Sequence, residues 1–299
     1  MTTDSAIVGH KAPPRPNSTG PLPTFLIIGA PRAATTSVAG HLAAHPDVFV
    51  PPLKEMAFFD SSERYERGLD WYRQQFRAAG TATAVGEASP YYMSVPNAIP
   101  RIASNLPDVR LVAILRNPVD RAYSHWWLNR CWGTERREFY EAVFREAAGL
   151  DAPARYLGNG RYATHLKHIC EYLPRSQLLV VFFEAFRANP QGVLAEICEF
   201  IGVNPTGVPP HADEPLNQPH RARALRVWPG LPGSRRFLIL EAARYRAGGL
   251  GRVVRAIDKC LVAPAPYPEM DPTVRSHLVQ WYEGPNAALS AWLGTDLPW

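Results

Sequence analysis

The strongest indication of the fold is the stretch Phe25-Leu-Ile-Ile-Gly-Ala-Pro-Arg-Ala-Ala-Thr-Thr-Ser-Val38. An apolar, β-branched run ends at Gly29, a turn of small residues follows, and a helical pattern begins near Thr35. In such a strand–loop–helix arrangement, backbone N–H groups at the start of the helix face an anion. The stretch therefore predicts a phosphate-binding loop, and an ordinary turn between a strand and a helix is the alternative for this segment taken alone.

The loop lacks the signature of the nucleoside triphosphatases. That motif ends in Gly-Lys-[Ser/Thr], whose Lys contacts the β- and γ-phosphates and whose hydroxyl contacts Mg²⁺. This chain has Ala34-Thr35-Thr36 at the corresponding place, and the cation lies earlier, at Arg32. We therefore expect a phosphate-containing donor other than ATP–Mg²⁺, bound without a metal ion.

The composition fits one large α/β domain, or one such domain with a small appendage. The 299 residues are 46% hydrophobic and 20% charged, as in ordinary globular proteins. The net charge of +5 suits an anionic ligand but is too small to indicate nucleic acid. Residues 1–23 contain five prolines and no apolar core, so we expect a disordered tail before a domain over 24–299. Because no apolar run reaches membrane-spanning length, we expect no stable membrane insertion and a cytoplasmic location.

The four cysteines are widely and irregularly spaced: Cys131, Cys170, Cys198 and Cys260. None forms a Cys-x-x-Cys pair or a Cys/His metal pattern. We therefore expect buried free thiols and no metal site.

Apolar runs alternate with helical patterns along the chain, which predicts an α/β fold with a parallel sheet covered by helices on both faces. Strands are predicted over residues 24–28, 48–50, 83–86, 110–115 and 177–183. Helices are predicted over residues 35–44, 69–76, 97–105, 121–132, 137–148, 163–172, 190–201 and 272–292. An Arg-rich insert over 221–262 has two more helical patterns, at 234–246 and 250–261. A solvated helical hairpin is the favoured interpretation, and a substrate lid, a partner surface or a helical cap are the alternatives.

Four further segments follow the loop in a recognisable order. They are Lys54-Glu-Met-Ala-Phe-Phe59, Gly86-Glu-Ala-Ser-Pro-Tyr-Tyr92, Arg116-Asn-Pro-Val-Asp-Arg-Ala-Tyr-Ser124 and Gly160-Arg-Tyr-Ala-Thr-His-Leu166. With the loop, they resemble the sulfotransferases that use 3′-phosphoadenosine-5′-phosphosulfate (PAPS), and among these the bacterial enzymes related to heparan-sulfate N- and O-sulfotransferases. The resemblance runs from about residue 25 to about 200 and resumes over 267–299. It implies a P-loop-type parallel sheet flanked by helices, with a helical insert near the C-terminus, and PAPS as co-substrate.

The loop chemistry and the resemblance together assign the 5′ side of the donor. Backbone amides are expected to hold the phosphosulfate, helped by the dipole of the following helix. These amides belong to Arg32, Ala33, Ala34, Thr35 and Thr36. Ala34 stands where the family usually has Gly, so a positive φ at this position would strain the loop by roughly 1 kcal/mol.

The 3′ side of the donor is assigned to Arg116 and Ser124. Arg116 ends a predicted strand and Ser124 lies two turns into the next helix, so both can face one edge of the sheet. Enzymes resembling this one grip the 3′-phosphate with such a pair, and an Arg fork with a hydroxyl suits a dianion. The alternative interpretation makes Arg116 a plain cation at the end of a strand. Arg161 and Tyr162 match the family's Gly-x-Tyr segment and are expected near the nucleotide.

Glu55 is the predicted general base. Transfer of a sulfuryl group to a hydroxyl or amine requires the acceptor's proton to leave. The family's Lys-Glu-x-His-Phe-Phe pattern supplies a Glu for this step, and the resemblance transfers that role to Glu55. Arg32 is expected to stabilise the charge that develops on the leaving phosphate. Less favoured bases are His125, His165 and His168, and Glu55 could instead be a solvated loop carboxylate.

Two departures from the family pattern concern the acceptor. Ala57 replaces the family's His, and Ala88 replaces a Lys of the animal heparan-sulfate enzymes. A small acceptor such as a sugar, a glycolipid or a secondary metabolite is therefore expected, rather than a long anionic glycan. The alternative functions are a nucleotide kinase-like phosphotransferase and a non-catalytic nucleotide-binding relative. The acceptor's identity, O- versus N-sulfation and the oligomeric state are left open by the sequence.

Overall fold

A computed structural model gives the fold of the chain and describes residues 20–52, 55–150, 155–208, 220–222, 262–264 and 268–299. Both helices predicted within the insert, the tail over 1–19, Lys54 and Cys260 lie outside these residues. The described part begins at Gly20, which is buried and whose carbonyl accepts a hydrogen bond from Arg73 Nε at 3.0 Å. Packing against the domain thus begins ahead of the predicted boundary at Pro23.

The centre of the molecule is a sheet of five parallel strands in the order β2-β3-β1-β4-β5. The strands are β1 (Phe25–Gly29), β2 (Val48–Phe49), β3 (Ala84–Ala88), β4 (Arg110–Leu115) and β5 (Leu178–Phe182). From β1 the chain runs to the edge strand β2, comes back to β3 beside β1, and then crosses to β4 and β5 on the other side. This reversal makes the carboxyl end of β1 a topological switch point, where ligands bind in open α/β sheets.

The strands are mainly apolar, as in parallel sheets that are covered on both faces, with Glu87 in β3 and Arg110 at the start of β4 as polar exceptions. All five residues of β1 are buried, and so are residues 111–115 of β4. The predicted strands agree with the observed ones to within two residues at each end. The α/β fold with a parallel sheet is therefore confirmed.

Ten α-helices lie within the residues that the structure describes. They are α1 (Thr35–Leu42), α2 (Ser62–Tyr65), α3 (Leu69–Gln74), α4 (Ala98–Asn105), α5 (Pro118–Trp132), α6 (Phe139–Ala147), α7 (Tyr162–Cys170), α8 (Phe183–Ala188), α9 (Pro190–Ile201) and α10 (Pro272–Leu293). The short helices α2 and α8 were not predicted. Helix α5 begins three residues earlier than predicted, because Pro118 fills the first turn and the Asn117 side chain accepts hydrogen bonds from the amides of Val119 and Asp120.

A second cluster of buried side chains joins α5, α6 and α10, away from the main core around the sheet. It includes Trp126, Phe139 and Tyr282, and it fixes α5 beside the carboxyl end of β4. Of the cysteines described, Cys198 is buried and Cys131 and Cys170 are half-buried, and none of these three forms a disulfide. The prediction of buried thiols thus holds fully for one of the three.

The two ends of the predicted insert lie side by side. The strands β6 (His220–Ala222) and β7 (Val262–Pro264) pair in antiparallel fashion, with Arg221 opposite Ala263. The chain therefore enters and leaves the insert at one place on the domain. Among the described helices, none has the length and apolar character needed to cross a membrane.

Candidate active site

The loop after β1 adopts a left-handed conformation at two non-glycine residues, Arg32 with φ 75° and Ala34 with φ 63°. Ala34 is the N-cap of α1 and has no polar side-chain atom, so its side chain leaves the first amides of the helix uncapped. The positive φ expected for the position of the family's Gly is observed, with Ala carrying the strain. Left-handed residues ahead of a helix N-terminus are typical of backbone anion cradles, and in this loop the Ala33 amide donates to the Ala30 carbonyl at 3.1 Å.

Three of the predicted donor-binding side chains meet beside this loop. Arg32 Nε donates to Ser124 Oγ at 3.1 Å, and Arg116 Nη1 donates to the Arg32 carbonyl at 2.9 Å. Ser124 is 1% exposed, and the Arg116 guanidinium lies 4.7 Å above the centre of the Phe183 ring. Two cations and a hydroxyl thus lie together where β1 and β4 end, and the contacts run through Arg32, which the spacing argument for Arg116 and Ser124 did not include.

Tyr162 and Arg161 occupy different environments. The Tyr162 hydroxyl donates to the Arg116 carbonyl at 2.8 Å, and burial raises the pKa of this hydroxyl to about 12. Tyr162 therefore lies behind Arg116 and supports its backbone. Arg161 precedes it at the start of α7 with an exposed side chain.

A cavity of about 420 Å³ adjoins Arg116. Its floor is α5 and its opposite wall is the segment that leads into α10. Two contacts hold this segment in place: Arg275 pairs with Asp120 at 2.7 Å, and Tyr123 donates to the Pro268 carbonyl at 3.0 Å. Residues 268–270, in the C-terminal stretch of the resemblance, therefore border the cavity beside Arg116.

Glu55 lies in a second strained loop, between β2 and α2. Glu55 has φ 56° and Ala57 has φ 46°, both in the left-handed region. Arg64 Nη1 donates to the Glu55 carbonyl at 3.0 Å and also to the Met56 carbonyl. The Glu55 side chain is exposed, whereas Phe58, which follows it in the motif, is buried in the core.

Tyr91 links the two loops electrostatically. Burial raises the pKa of the Tyr91 hydroxyl, the Glu55 carboxylate adds to this increase, and the guanidinium groups of Arg121 and Arg32 oppose it. Both predicted catalytic residues, Glu55 and Arg32, thus lie within electrostatic reach of one tyrosine hydroxyl.

The three histidines considered as alternative bases are engaged elsewhere. His125 is buried, with Nδ1 at 3.5 Å from Arg121 Nη1 and Nε2 at 3.3 Å from the Tyr91 hydroxyl. A guanidinium can only donate, so Nδ1 accepts and Nε2 carries the proton that it donates to Tyr91. His165 Nε2 lies 2.9 Å from the Gly158 carbonyl, and His168 Nδ1 pairs with Glu171 at 2.9 Å.

Burial lowers the pKa of His125 and of His165. For His125 the lowering is large, because the charges of Arg121 and Arg32 add to the effect of burial. For His165, the hydrogen bond to the Gly158 carbonyl partly opposes the effect of burial. Both imidazoles are therefore neutral at pH 7.

Glu87 is a residue of this region to which sequence reasoning gave no role. It is 2% exposed at the end of β3 and accepts three hydroxyl hydrogen bonds. Tyr72 and Tyr92 donate to Oε1, each at 2.7 Å, and Ser89 donates to Oε2 at 2.8 Å. Burial raises the pKa of the Glu87 carboxyl, and the three hydrogen bonds oppose this increase. The available signal was a Glu inside an otherwise apolar strand, followed by Ser and two Tyr.

Comparison with known proteins identifies the family. The model of the sulfotransferase domain matches residues 22–224. Bifunctional heparan sulfate N-deacetylase/N-sulfotransferase 2 of Bos taurus is 34% identical over 62% of this chain, and human heparan sulfate glucosamine 3-O-sulfotransferase 6 is 32% identical over 64%. The chain spans 22% of the first relative's length and 57% of the second's.

A solved structure agrees with these matches. The crystal structure of a sulfotransferase from Alicyclobacillus acidocaldarius superposes with a TM-score of 0.67 at 26% identity, covering 93% of this chain and 98% of that one. The parallel sheet and flanking helices of this chain therefore have the same fold as that sulfotransferase. The chain belongs to the sulfotransferase family.

Proposed function

We propose that the protein transfers the sulfuryl group of PAPS to a hydroxyl or amine of a small acceptor. The observation that carries this proposal is the convergence of Arg32, Arg116 and Ser124 on a left-handed loop at the carboxyl end of β1. An anion cradle joined to a second cationic site suits a donor with phosphate groups at both ends. PAPS supplies the activated sulfuryl group and leaves as adenosine 3′,5′-bisphosphate.

Different residues bind the two ends of the donor. The amides of Arg32, Ala33, Ala34, Thr35 and Thr36 hold the 5′ side at the N-terminus of α1, where the helix dipole favours negative charge. Arg116 and Ser124 hold the 3′-phosphate. Arg161 and Tyr162 border the nucleotide, with Tyr162 acting through the Arg116 backbone.

Glu55 accepts the acceptor's proton and Arg32 stabilises the developing charge on the leaving phosphate. The contacts of the histidines support this assignment. His125 Nε2 carries a proton and cannot accept another, and His168 is paired with Glu171. Glu55 is exposed, so an acceptor can reach it.

The acceptor is a small molecule such as a sugar, a glycolipid or a secondary metabolite. Ala57 and Ala88 remove a His and a Lys from the predicted acceptor side, and Ala88 is 5% exposed at the end of β3. A long anionic glycan requires several cations to offset its charge, and these two positions supply none.

The test is incubation of the full chain with radiolabelled PAPS and panels of sugars, glycolipids and small-molecule alcohols and amines, in the presence of a chelator. We expect label in an acceptor and release of adenosine 3′,5′-bisphosphate. Metal-dependent binding of ATP as strong as that of the bisphosphate would instead favour the kinase-like alternative. Tight bisphosphate binding with no label transferred to any acceptor would favour a non-catalytic relative.

A further inference from the structure

The loop that carries Glu55 holds a conformation that its own sequence disfavours. Glu55 and Ala57 both lie in the left-handed region although neither is glycine. Such a backbone costs free energy and persists only where surrounding contacts hold it. Contacts from outside Glu55 and Ala57 must therefore impose this shape.

Consecutive backbone amides of the loop donate to side-chain hydroxyls that follow β3. The Ala57 amide donates to Ser89 Oγ at 3.0 Å, and the Phe58 amide donates to the Tyr92 hydroxyl at 2.9 Å. The Phe59 amide reaches the same Tyr92 oxygen at 3.5 Å. Two hydroxyl oxygens thus hold the segment immediately after Glu55.

Both hydroxyls lead onward to Glu87. An amide N–H can only donate, so Ser89 and Tyr92 accept from the loop and direct their own hydrogens to the Glu87 carboxylate, at 2.8 Å and 2.7 Å. A buried carboxylate polarises each hydroxyl and strengthens its acceptance of the amide hydrogen bond. The hydrogen bonds therefore run in one direction, from the loop amides through the two hydroxyls to Glu87.

Tyr72 provides an internal comparison. Its hydroxyl donates to the same Glu87 oxygen as Tyr92, also at 2.7 Å, and its ring stacks on Phe58 with centroids 4.4 Å apart. Within the described part of the chain, however, the amides of the loop are held by Ser89 and Tyr92. Removal of the Tyr72 hydroxyl thus disturbs the carboxylate equally but leaves the link to the loop in place.

We propose that Tyr92 and Ser89, which both donate to Glu87, are positioning residues that hold the Glu55 loop in its reactive shape. Glu87 acts at a distance from the substrates, since it is 2% exposed and its oxygens accept from three protein hydroxyls. The inference rests on the proposed role of Glu55 as the general base.

The experiment compares Tyr92→Phe and Ser89→Ala with the matched control Tyr72→Phe. For each we would measure kcat and KM with an acceptor found in the labelled-PAPS screen, the Kd of adenosine 3′,5′-bisphosphate, and amide hydrogen exchange at Ala57 and Phe58. Misplacement of a base by about 1 Å lowers rates by up to about 100-fold. We expect Tyr92→Phe and Ser89→Ala to lower kcat by about 10-fold or more and to speed exchange at both amides, with bisphosphate Kd within about twofold of wild type. Tyr72→Phe should keep kcat and exchange near wild type, and Ser89→Thr, which retains a hydroxyl, should restore kcat.

Equal kcat values for Tyr92→Phe, Ser89→Ala and Tyr72→Phe, with unchanged exchange at Ala57, would overturn the positioning role. Glu55→Gln is assayed in parallel, because a wild-type rate in that variant would contradict the proposed base itself. Hydrogen exchange at Ala57 and Phe58 measures how firmly the loop is held, whether or not Glu55 is the base. Ser89→Ala keeps the test decisive if Tyr92→Phe does not fold.

Discussion

Arg32 and Ser124, 92 positions apart in the chain, are joined by a hydrogen bond of 3.1 Å from Nε to Oγ. This contact links the loop after β1 to α5, so the 5′ and 3′ sides of the proposed donor site are mechanically coupled. Arg116 strengthens the link, because its guanidinium donates to the Arg32 carbonyl at 2.9 Å. A donor that engages one side therefore meets a second side already oriented, which reduces the entropy lost on binding.

Replacement of Arg116 by Ala should weaken the binding of adenosine 3′,5′-bisphosphate by about 2–3 kcal/mol, the scale of a lost hydrogen bond to a charged group. Binding of adenosine 5′-monophosphate should change little, because it lacks the 3′-phosphate. Calorimetry of both ligands in a chelator measures the difference. Arg187→Ala is the matched control, since Arg187 lies 5.9 Å above the same Phe183 ring but is exposed on α8. An equal loss for both ligands in Arg116→Ala would remove the assignment to the 3′-phosphate.

Ala34→Gly should stabilise the protein. Ala34 has φ 63°, which costs an L-residue about 1–2 kcal/mol, whereas Gly adopts this conformation freely. The added entropy of Gly in the unfolded chain offsets part of the gain, so we expect a net increase of about 0.5–1 kcal/mol in the free energy of unfolding. Denaturant unfolding measures it. Ala39→Gly, inside α1, should do the opposite and destabilise by about 1 kcal/mol. A loss of stability in both variants would contradict the strain at Ala34.

The stability of the protein should fall as the pH drops below 6.5, through His125. Burial and the charges of Arg121 and Arg32 hold the folded pKa of His125 well below 6.5, so the unfolded chain binds a proton first. Stability is therefore fully present above pH 6.5 and declines below it. Denaturant unfolding of wild type and His125→Gln between pH 7.5 and pH 5.5 should give a smaller decline for the variant.

The difference between wild type and His125→Gln gives the contribution of His125 to the pH dependence of stability. His165, whose pKa is lowered by burial, contributes a decline of the same sign in both proteins. Glu87 contributes in the opposite direction, because burial raises its pKa and stability is lost as the pH rises above the ordinary carboxyl range. These contributions cancel between wild type and variant. The same pH dependence in both proteins would mean that His125 binds its proton equally well in the folded and unfolded states, which would contradict its lowered pKa.

The elements predicted well from sequence are those whose signal is local. The run Leu111–Leu115 is apolar at every position, and α9 begins with Pro190 and ends before Gly202, so both were predicted at the observed bounds. Helix α8 was missed because the apolar residues of β5 continue into it without a break. Its first residue, Phe183, was therefore assigned to the strand.

In the candidate site, spacing predicted that Arg116 and Ser124 would face one edge of the sheet, and the contacts of both with Arg32 agree. The Glu87 network could not be predicted in this way. Its partner Tyr72 lies 15 positions earlier, on α3, and only the packing of that helix brings the hydroxyl to the carboxylate. A buried Glu in a strand indicates that partners exist, but the sequence does not say which residues they are.

The final prediction concerns the chemical step. Glu55→Gln keeps the shape of the side chain but removes the proton acceptor, so turnover should fall by about 10²–10⁴-fold while the Kd of adenosine 3′,5′-bisphosphate stays the same. Glu63→Gln, on the neighbouring helix α2, is the matched control and should retain the wild-type rate. Single-turnover transfer from labelled PAPS gives the rate, and calorimetry gives the affinity.

Arg32→Ala should differ from Glu55→Gln in one measurable respect. The Arg32 charge acts on the bound donor as well as on the transition state, and Arg32 Nε donates to Ser124. Loss of this side chain should therefore lower both donor affinity and rate. A Glu55→Gln variant that transferred sulfate at the wild-type rate would make Glu55 a loop residue without catalytic role. The base would then have to come from a histidine, which for His125 requires Nε2 to give up its hydrogen bond to Tyr91 and lose its proton. The same comparison of rate with donor affinity in His125→Gln and His165→Gln would then identify which histidine it is.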